Sequence, residues 1–206
     1  MSSSSSTTAA AGTAADDLIL AMQSINEFCE ILSSKQPTPG GGASAAIGAA
    51  IGAGTASMAG AYTQRKKDEE NGAADAARTM ITNMDIPSLL KMADDDVTAY
   101  KSLQSTWKKE SGLTPEQIKD IESNALSVPT VLVEACYKRI LDVQQFLPKC
   151  NPNITSDAKV GIHQLAGAAR SAYQTVLVNS PPDEEKERLM KLLREIQFIE
   201  NELLGL

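Results

Sequence analysis

The sequence predicts an all-α fold, a bundle of about six to seven mostly antiparallel helices. No segment alternates apolar and polar residues long enough to mark a half-buried strand, whereas apolar residues recur at three- and four-residue spacing through most of the chain. Aromatic residues make up only 4% of the 206, so interhelical packing has to come from aliphatic and very small side chains. The length suits a single core, and we expect a disordered Ser/Thr/Ala-rich tail over 1–15 followed by one domain over 16–206.

Taken in order, Asp16 or Asp17 can cap a first helix carrying Leu18, Met22, Ile25, Cys29 and Leu32 as a core stripe. Gln36-Pro37-Thr38-Pro39-Gly40-Gly41-Gly42 then reads as a loop, because the prolines oppose helix and the glycines allow left-handed backbone and close approach. It opens onto a helix of unusually small residues. Gly48, Gly52, Ala56 and Gly60 recur every fourth position there, so one face lets neighbouring helices come close. The glycine cluster alone also reads as a simple junction between two helices. The small-residue helix ends near Thr63-Gln64-Arg65-Lys66-Lys67, where positive charge complements a helix C-terminus.

Asn71-Gly72 marks a break, 73–84 a helix, and Ile86-Pro87 a kink or restart. From Leu89 to Trp107, Leu89, Ala93, Asp96, Tyr100, Leu103 and Trp107 share one helical face. A carboxylate in that stripe is costly unless it is paired or used. Asp94 falls on a flanking face and Asp95 points away. Thr114-Pro115-Glu116-Gln117 is a capping box with proline at the first helical position, opening a long helix that contains Pro129 and buries Val133, Cys136 and Ile140. Ser156 is expected to cap the next helix, with Asp157 in its first turn and Leu165, Ala168, Ala172 and Val176 on its core face. His163 has no evident role there. Ser180-Pro181-Pro182-Asp183 breaks the chain before a last amphipathic helix over 184–204, in which Glu187 and Lys191 are placed to pair.

Composition narrows the function. A net charge of −7 and an isoelectric point near 4.8 argue against a nucleic-acid partner. The stretch 43–62 is long enough to span a bilayer, but its Ala, Gly, Ser and Thr content supplies too little transfer energy, so no membrane partner is expected. Three well-separated cysteines, Cys29, Cys136 and Cys150, fit reduced thiols rather than a disulfide framework or zinc site, and residues 1–15 lack the pattern of a targeting signal. A cytoplasmic protein is expected. With one histidine in the chain and no metal-ligand set, carboxylates, lysines and backbone dipoles remain as the natural chemical groups.

Pro37-Thr38-Pro39-Gly40-Gly41-Gly42 followed by the small-residue helix resembles the signature of the formiminotransferase-cyclodeaminase family, specifically its cyclodeaminase/methenyltetrahydrofolate cyclohydrolase domain. Further similarities extend over roughly 18–200: Thr63, Lys66 and Lys67; Asp94, Asp96, Ala99 and Tyr100; the Val128-Pro129 step; Asn151 with Ser156 and Asp157; and Asn179. The resemblance implies a one-carbon folate enzyme, a homodimer or higher homo-oligomer, that needs no cofactor beyond its tetrahydrofolate substrate. It would release ammonia from 5-formiminotetrahydrofolate by ring closure or, alternatively, hydrolyse 5,10-methenyltetrahydrofolate. It also implies site roles: Asp96 and Asp157, with Asp94, for proton transfer or charge stabilisation; Pro39 and Gly40 to Gly42 for approach to the pterin or its tail; Thr63, Lys66, Lys67 and Ser156 for substrate binding, the lysines meeting the anionic glutamate tail beside the glycine loop. Ala61, Arg65, Glu69, Cys150 and Thr175 stand where the family usually has Asn, Gly, Tyr, Gly and Asn. These departures keep open a non-catalytic folate-binding or dimerisation module.

Overall fold

A computed structural model describes residues 23–108 and 112–206. These residues form α1 (Ile25–Leu32), α2 (Gly41–Ala61), α3 (Lys66–Glu70), α4 (Ala73–Met84), α5 (Ile86–Thr106), α6 (Pro115–Phe146), α7 (Thr155–Val178) and α8 (Asp183–Leu204), with 3-10 turns at Leu147–Lys149 and Pro152–Ile154 and no strand among them. The all-α expectation holds, with seven longer helices and one five-residue turn of helix, α3. The expected tail over 1–15 and the start of the first helix, with Asp16, Asp17, Leu18 and Met22, lie outside the described residues.

α2 is the axis of the bundle. It packs chiefly on α7, then on α5 and α4, and the small residues explain how. A Cβ added to Gly161 would lie 2.8 Å from the Ala56 Cβ and 2.9 Å from the Gly52 carbonyl oxygen, so α2 and α7 touch backbone to backbone. Gly60 gives the same room to Met80 and Ile81 of α4. Gly48, expected on the same packed face, has nothing within 4 Å and looks outward. Gly52 against Leu165, with Thr63 against Asn151, runs α2 and α7 antiparallel. Gly42 against Asp96, with Gly54 against Ile86, does the same for α2 and α5.

Several local expectations hold. Thr114 and Gln117 form the capping box that starts α6. Gly72 takes φ +74° at the start of α4, and Asp85, at φ 36°, caps the restart at Ile86-Pro87. Others do not. α1 starts at Ile25, where Ser24 and Glu27 form a capping box, and of the described residues of the predicted core stripe Ile25 is 73% exposed, Cys29 is exposed and Leu32 packs on the core, while Phe28 is buried. The larger apolar area of Phe28 sets which face turns inward. On α8, Glu187 and Lys191 do not pair, and Lys186–Asp183 and Arg188–Glu185 form instead.

Two buried charges tie the helices together. Arg139 of α6 donates from Nε to the Met84 carbonyl at 2.6 Å and from Nη2 to Ser88 Oγ at 2.9 Å, serving the end of α4 and the start of α5 at once. Glu200 of α8 is buried and accepts from Arg170, and its Oε1 lies 3.0 Å from His163 Nδ1. His163 is therefore part of the α7–α8 fastening, which its place in the sequence did not reveal.

Candidate functional site

The expected site residues assemble at two places, one at each end of α2. At the N-terminal end, the loop reading of Gly40–Gly42 needs correction. Gly40 is the N-cap, Gly41 and Gly42 already belong to the helix, and none of the three takes a positive φ. Close approach is the reason for glycine here. A Cβ on Gly42 would fall 2.0 Å from Asp96 Oδ1, so only the absence of a side chain leaves space for that carboxylate. The Ala43 N–H donates to Asp96 Oδ2 at 2.9 Å. Asp96 thus sits half-buried against the positive end of a 21-residue helix. Burial raises its pKa above the usual aspartate value, and the Ala43 hydrogen bond works the other way.

Pro39 is buried just before this cap, after a cis Thr38–Pro39 bond. Asp94, half-buried, lies on the flanking face of α5 as expected. Along the first turns of α2 an open apolar cavity of about 440 Å³ is lined by Ile25, Phe28, Leu32, Ile47, Ile51 and Leu90. Such walls suit a flat ring, and Ser44 and Ile47 of the lining follow Gly42 within two turns of α2.

At the opposite end the chain builds a dense polar knot. Thr63 is fully buried, donates to the Ala59 carbonyl at 2.8 Å and accepts from the Asn151 N–H at 3.0 Å. Asn151 donates from Nδ2 to the Tyr62 carbonyl and accepts from Arg65 Nη1 at 2.7 Å. The Arg65 guanidinium forks onto Asp68 and holds that carboxyl down at about 2. Arg65, a departure from the family pattern, is therefore a member of this network together with Asn151. Its arginine fork and Asp68, three residues on, were the available signal. Burial pushes the Cys150 thiol up, consistent with an inert packing role.

This knot delivers the start of α7. Ser156 is not its N-cap: the preceding 3-10 turn makes Ile154 the cap, Ser156 becomes the second helical residue, and its hydroxyl donates to Asp157 Oδ2 at 3.1 Å. Asp157 lies in the first turn as expected. Lys66 and Lys67 do not finish α2, which ends at Ala61; they open α3, exposed to solvent.

The expected neighbourhood of the lysines and the glycine segment is therefore corrected. Gly42 and Asp96 stand at one end of α2, and Thr63, Lys66, Lys67, Ser156 and Asp157 at the other, with 21 helical residues, or about 30 Å, between them. Adjacency in sequence suggested one site, but a straight helix lies between its two parts. Among the described residues no group of three or more His, Cys, Asp or Glu side chains is placed to hold a metal ion, and no helix is long and apolar enough to cross a membrane.

The formiminotetrahydrofolate cyclodeaminase of Thermotoga maritima shares the fold, with a TM-score of 0.75 at 20% identity over 86% of this chain and 90% of that one. A methenyltetrahydrofolate cyclohydrolase of Methylorubrum extorquens is 28% identical over 183 residues, covering 85% of this chain and 88% of its own length. The sequence model of the formiminotransferase-cyclodeaminase family matches residues 24–198, nearly all of the helical bundle from the cap of α1 into α8, and the chain belongs to that family.

Proposed function

We propose that this protein is a one-carbon folate enzyme acting on the ring carbon between N5 and N10, and that it hydrolyses 5,10-methenyltetrahydrofolate to the 10-formyl compound. The observation that carries the reading is the Asp96 carboxylate held over Gly42 at the head of α2. The similarity to the Methylorubrum cyclohydrolase favours hydrolysis. The methenyl substrate is a cation at the reacting carbon, and a half-buried carboxylate stabilises that charge while it receives a proton from the attacking water. The water oxygen bonds to the ring carbon, the carbon–N5 bond then breaks, N5 takes up a proton, and one proton is released overall.

The first expectation, ammonia release from 5-formiminotetrahydrofolate, uses the same carbon. The raised pKa of Asp96 favours it in one respect, since a protonated carboxyl can donate to the departing amine. No redox or group-carrying cofactor enters either reaction. Assaying the purified protein with both folates, following loss of the methenyl chromophore and release of ammonia, separates the two. Turnover of neither would leave the chain as a folate-binding or dimerisation module.

A further inference from the structure

We infer that the groove between α4 and α6 binds a small linear amino acid, with its ammonium at one end and its carboxylate at the other. The groove is a cavity of about 360 Å³ in which Thr79, Met80 and Asn83 of α4 face Asp142, Phe146 and Lys149. It is separate from the head of α2: Met80, on its floor, packs against Gly60 near the opposite end of that helix from Asp96.

Asp142 carries the inference. Its Oδ2 has almost no contact with solvent and no hydrogen-bond partner among the described residues. A carboxylate oxygen buried without a donor is costly, and Asp142 lines open space in which a donor fits. The neighbouring arginines are engaged elsewhere. Arg139, one turn earlier on α6, gives its hydrogen bonds to the Ala135, Met84 and Asp85 carbonyls and to Ser88 Oγ. Arg78 of α4 holds Glu69 and Asp75. Lys149 lines the same cavity and forms no ion pair among the described residues. The groove therefore presents two unspent charges of opposite sign.

The helices set the distance between those charges. Arg139 reaches Met84 at the end of α4, whereas Cys150 lies beside Thr63, and Gln64 reaches the Ala74 carbonyl near the start of α4, so α4 and α6 run antiparallel. Asp142 and Asn83 share one end of the groove, and Lys149 lies toward the other. Lys149 follows Asp142 by seven residues, about 10 Å along the axis. Two charge-assisted hydrogen bonds of about 2.8 Å each leave room between them for a short carbon chain. A charge pair held on a single carbon does not span that gap. Met80 and Phe146, each 2% exposed, give the chain an apolar floor, and the rim amides of Asn83 and Gln145 can receive its polar ends. A water molecule would answer Asp142 alone and would use neither the floor nor Lys149.

Titrating the full-length, isotope-labelled protein with 4-aminobutyrate, followed by amide NMR signals, tests this. Signals within 76–83 and 142–149 should move and saturate at about millimolar ligand, the range for few contacts in an open groove. Butylamine keeps the ammonium without the carboxylate, and glycine keeps both charges on one carbon. Each should bind about tenfold more weakly or worse. Asp142→Asn, which keeps the side chain's shape, should weaken 4-aminobutyrate and butylamine alike by about tenfold or more. Lys149→Gln, at an exposed position, should weaken 4-aminobutyrate and leave butylamine unchanged. That comparison decides the matter even where Asp142→Asn fails to fold. Signals in both segments that stay still to about 50 mM ligand, or binding that Asp142→Asn leaves intact, overturn the site. Glycine binding as tightly as 4-aminobutyrate, or Lys149→Gln without effect on either probe, overturns the two-ended ligand. Folate turnover plays no part in these readouts, so the inference stands or falls apart from the folate reading.

Discussion

Asp96 is held where a charge is both costly and useful. Its carboxyl pKa is raised by burial, so the native state favours its protonated form; stability from this group is full below the ordinary aspartate value and is lost as pH rises through the raised one. Asp96→Asn should therefore melt at the same temperature as the parent or higher at neutral pH. That advantage should vanish as pH falls below about 4, as thermal melts across pH would show. Turnover of the preferred folate should drop by about 10²-fold or more in steady-state assays, the scale of a positioned acid, base or charge stabiliser. Gly42→Ala tests the same pocket from the other side. Its new Cβ must push the carboxylate away, so turnover should fall nearly as far while circular dichroism stays helical. Asp96 was legible in the sequence because a carboxylate interrupts an apolar helical stripe. The need for Gly42 was misread as a loop conformation, since its partner lies 53 residues from the neighbouring Ala43. The pairing of His163 with Glu200, 37 residues apart, left no local trace at all.

The helix signals that read correctly were those contained in a few residues, such as the box at Thr114 and the breaks at Gly72 and Ile86-Pro87. Ser156 failed as a cap because the turn before it is stabilised from outside the helix: Asn151 is anchored to Thr63 and Tyr62, and this fixes where α7 begins. The spacing of glycines along α2 foretold close packing but not against which element. Gly161 of α7 supplies the other half of that contact, and the space there is already filled. Gly161→Ala should separate the two longest-running neighbours in the core and cost about 1–3 kcal/mol or more, read from denaturant unfolding. Gly48→Ala, facing open space, serves as the control for helix propensity alone.

For the molecule as a whole, the class of fold was legible because periodicity and small-residue content act everywhere at once. The placement of the basic segment was not, because it depends on the length of one helix rather than on the order of motifs. If Lys66 and Lys67 meet a glutamate tail, the parent should bind a polyglutamylated tetrahydrofolate more tightly than the monoglutamate, and added salt should narrow the gap. Isothermal titration at two ionic strengths measures this. Equal affinities, or no loss of preference with Lys66→Ala and Lys67→Ala, would assign these lysines to solubility.

The scarcity of side chains on α2 also bears on the order in which the chain folds. A helix of glycine and alanine has little surface to bury on its own, and each glycine weakens its intrinsic helicity by about 1 kcal/mol. Its partners arrive from 86–106 and 155–178, far along the chain, so the loop-closing entropy must be met before those contacts exist. α2 should therefore consolidate late, threading into a cradle already formed by α5, α6 and α7. Replacing Ala53 with glycine would then accelerate unfolding and leave the refolding rate almost unchanged, whereas truncating Ile140 of α6, fully buried, would slow refolding. The central helix of the bundle would be the last one to enter it.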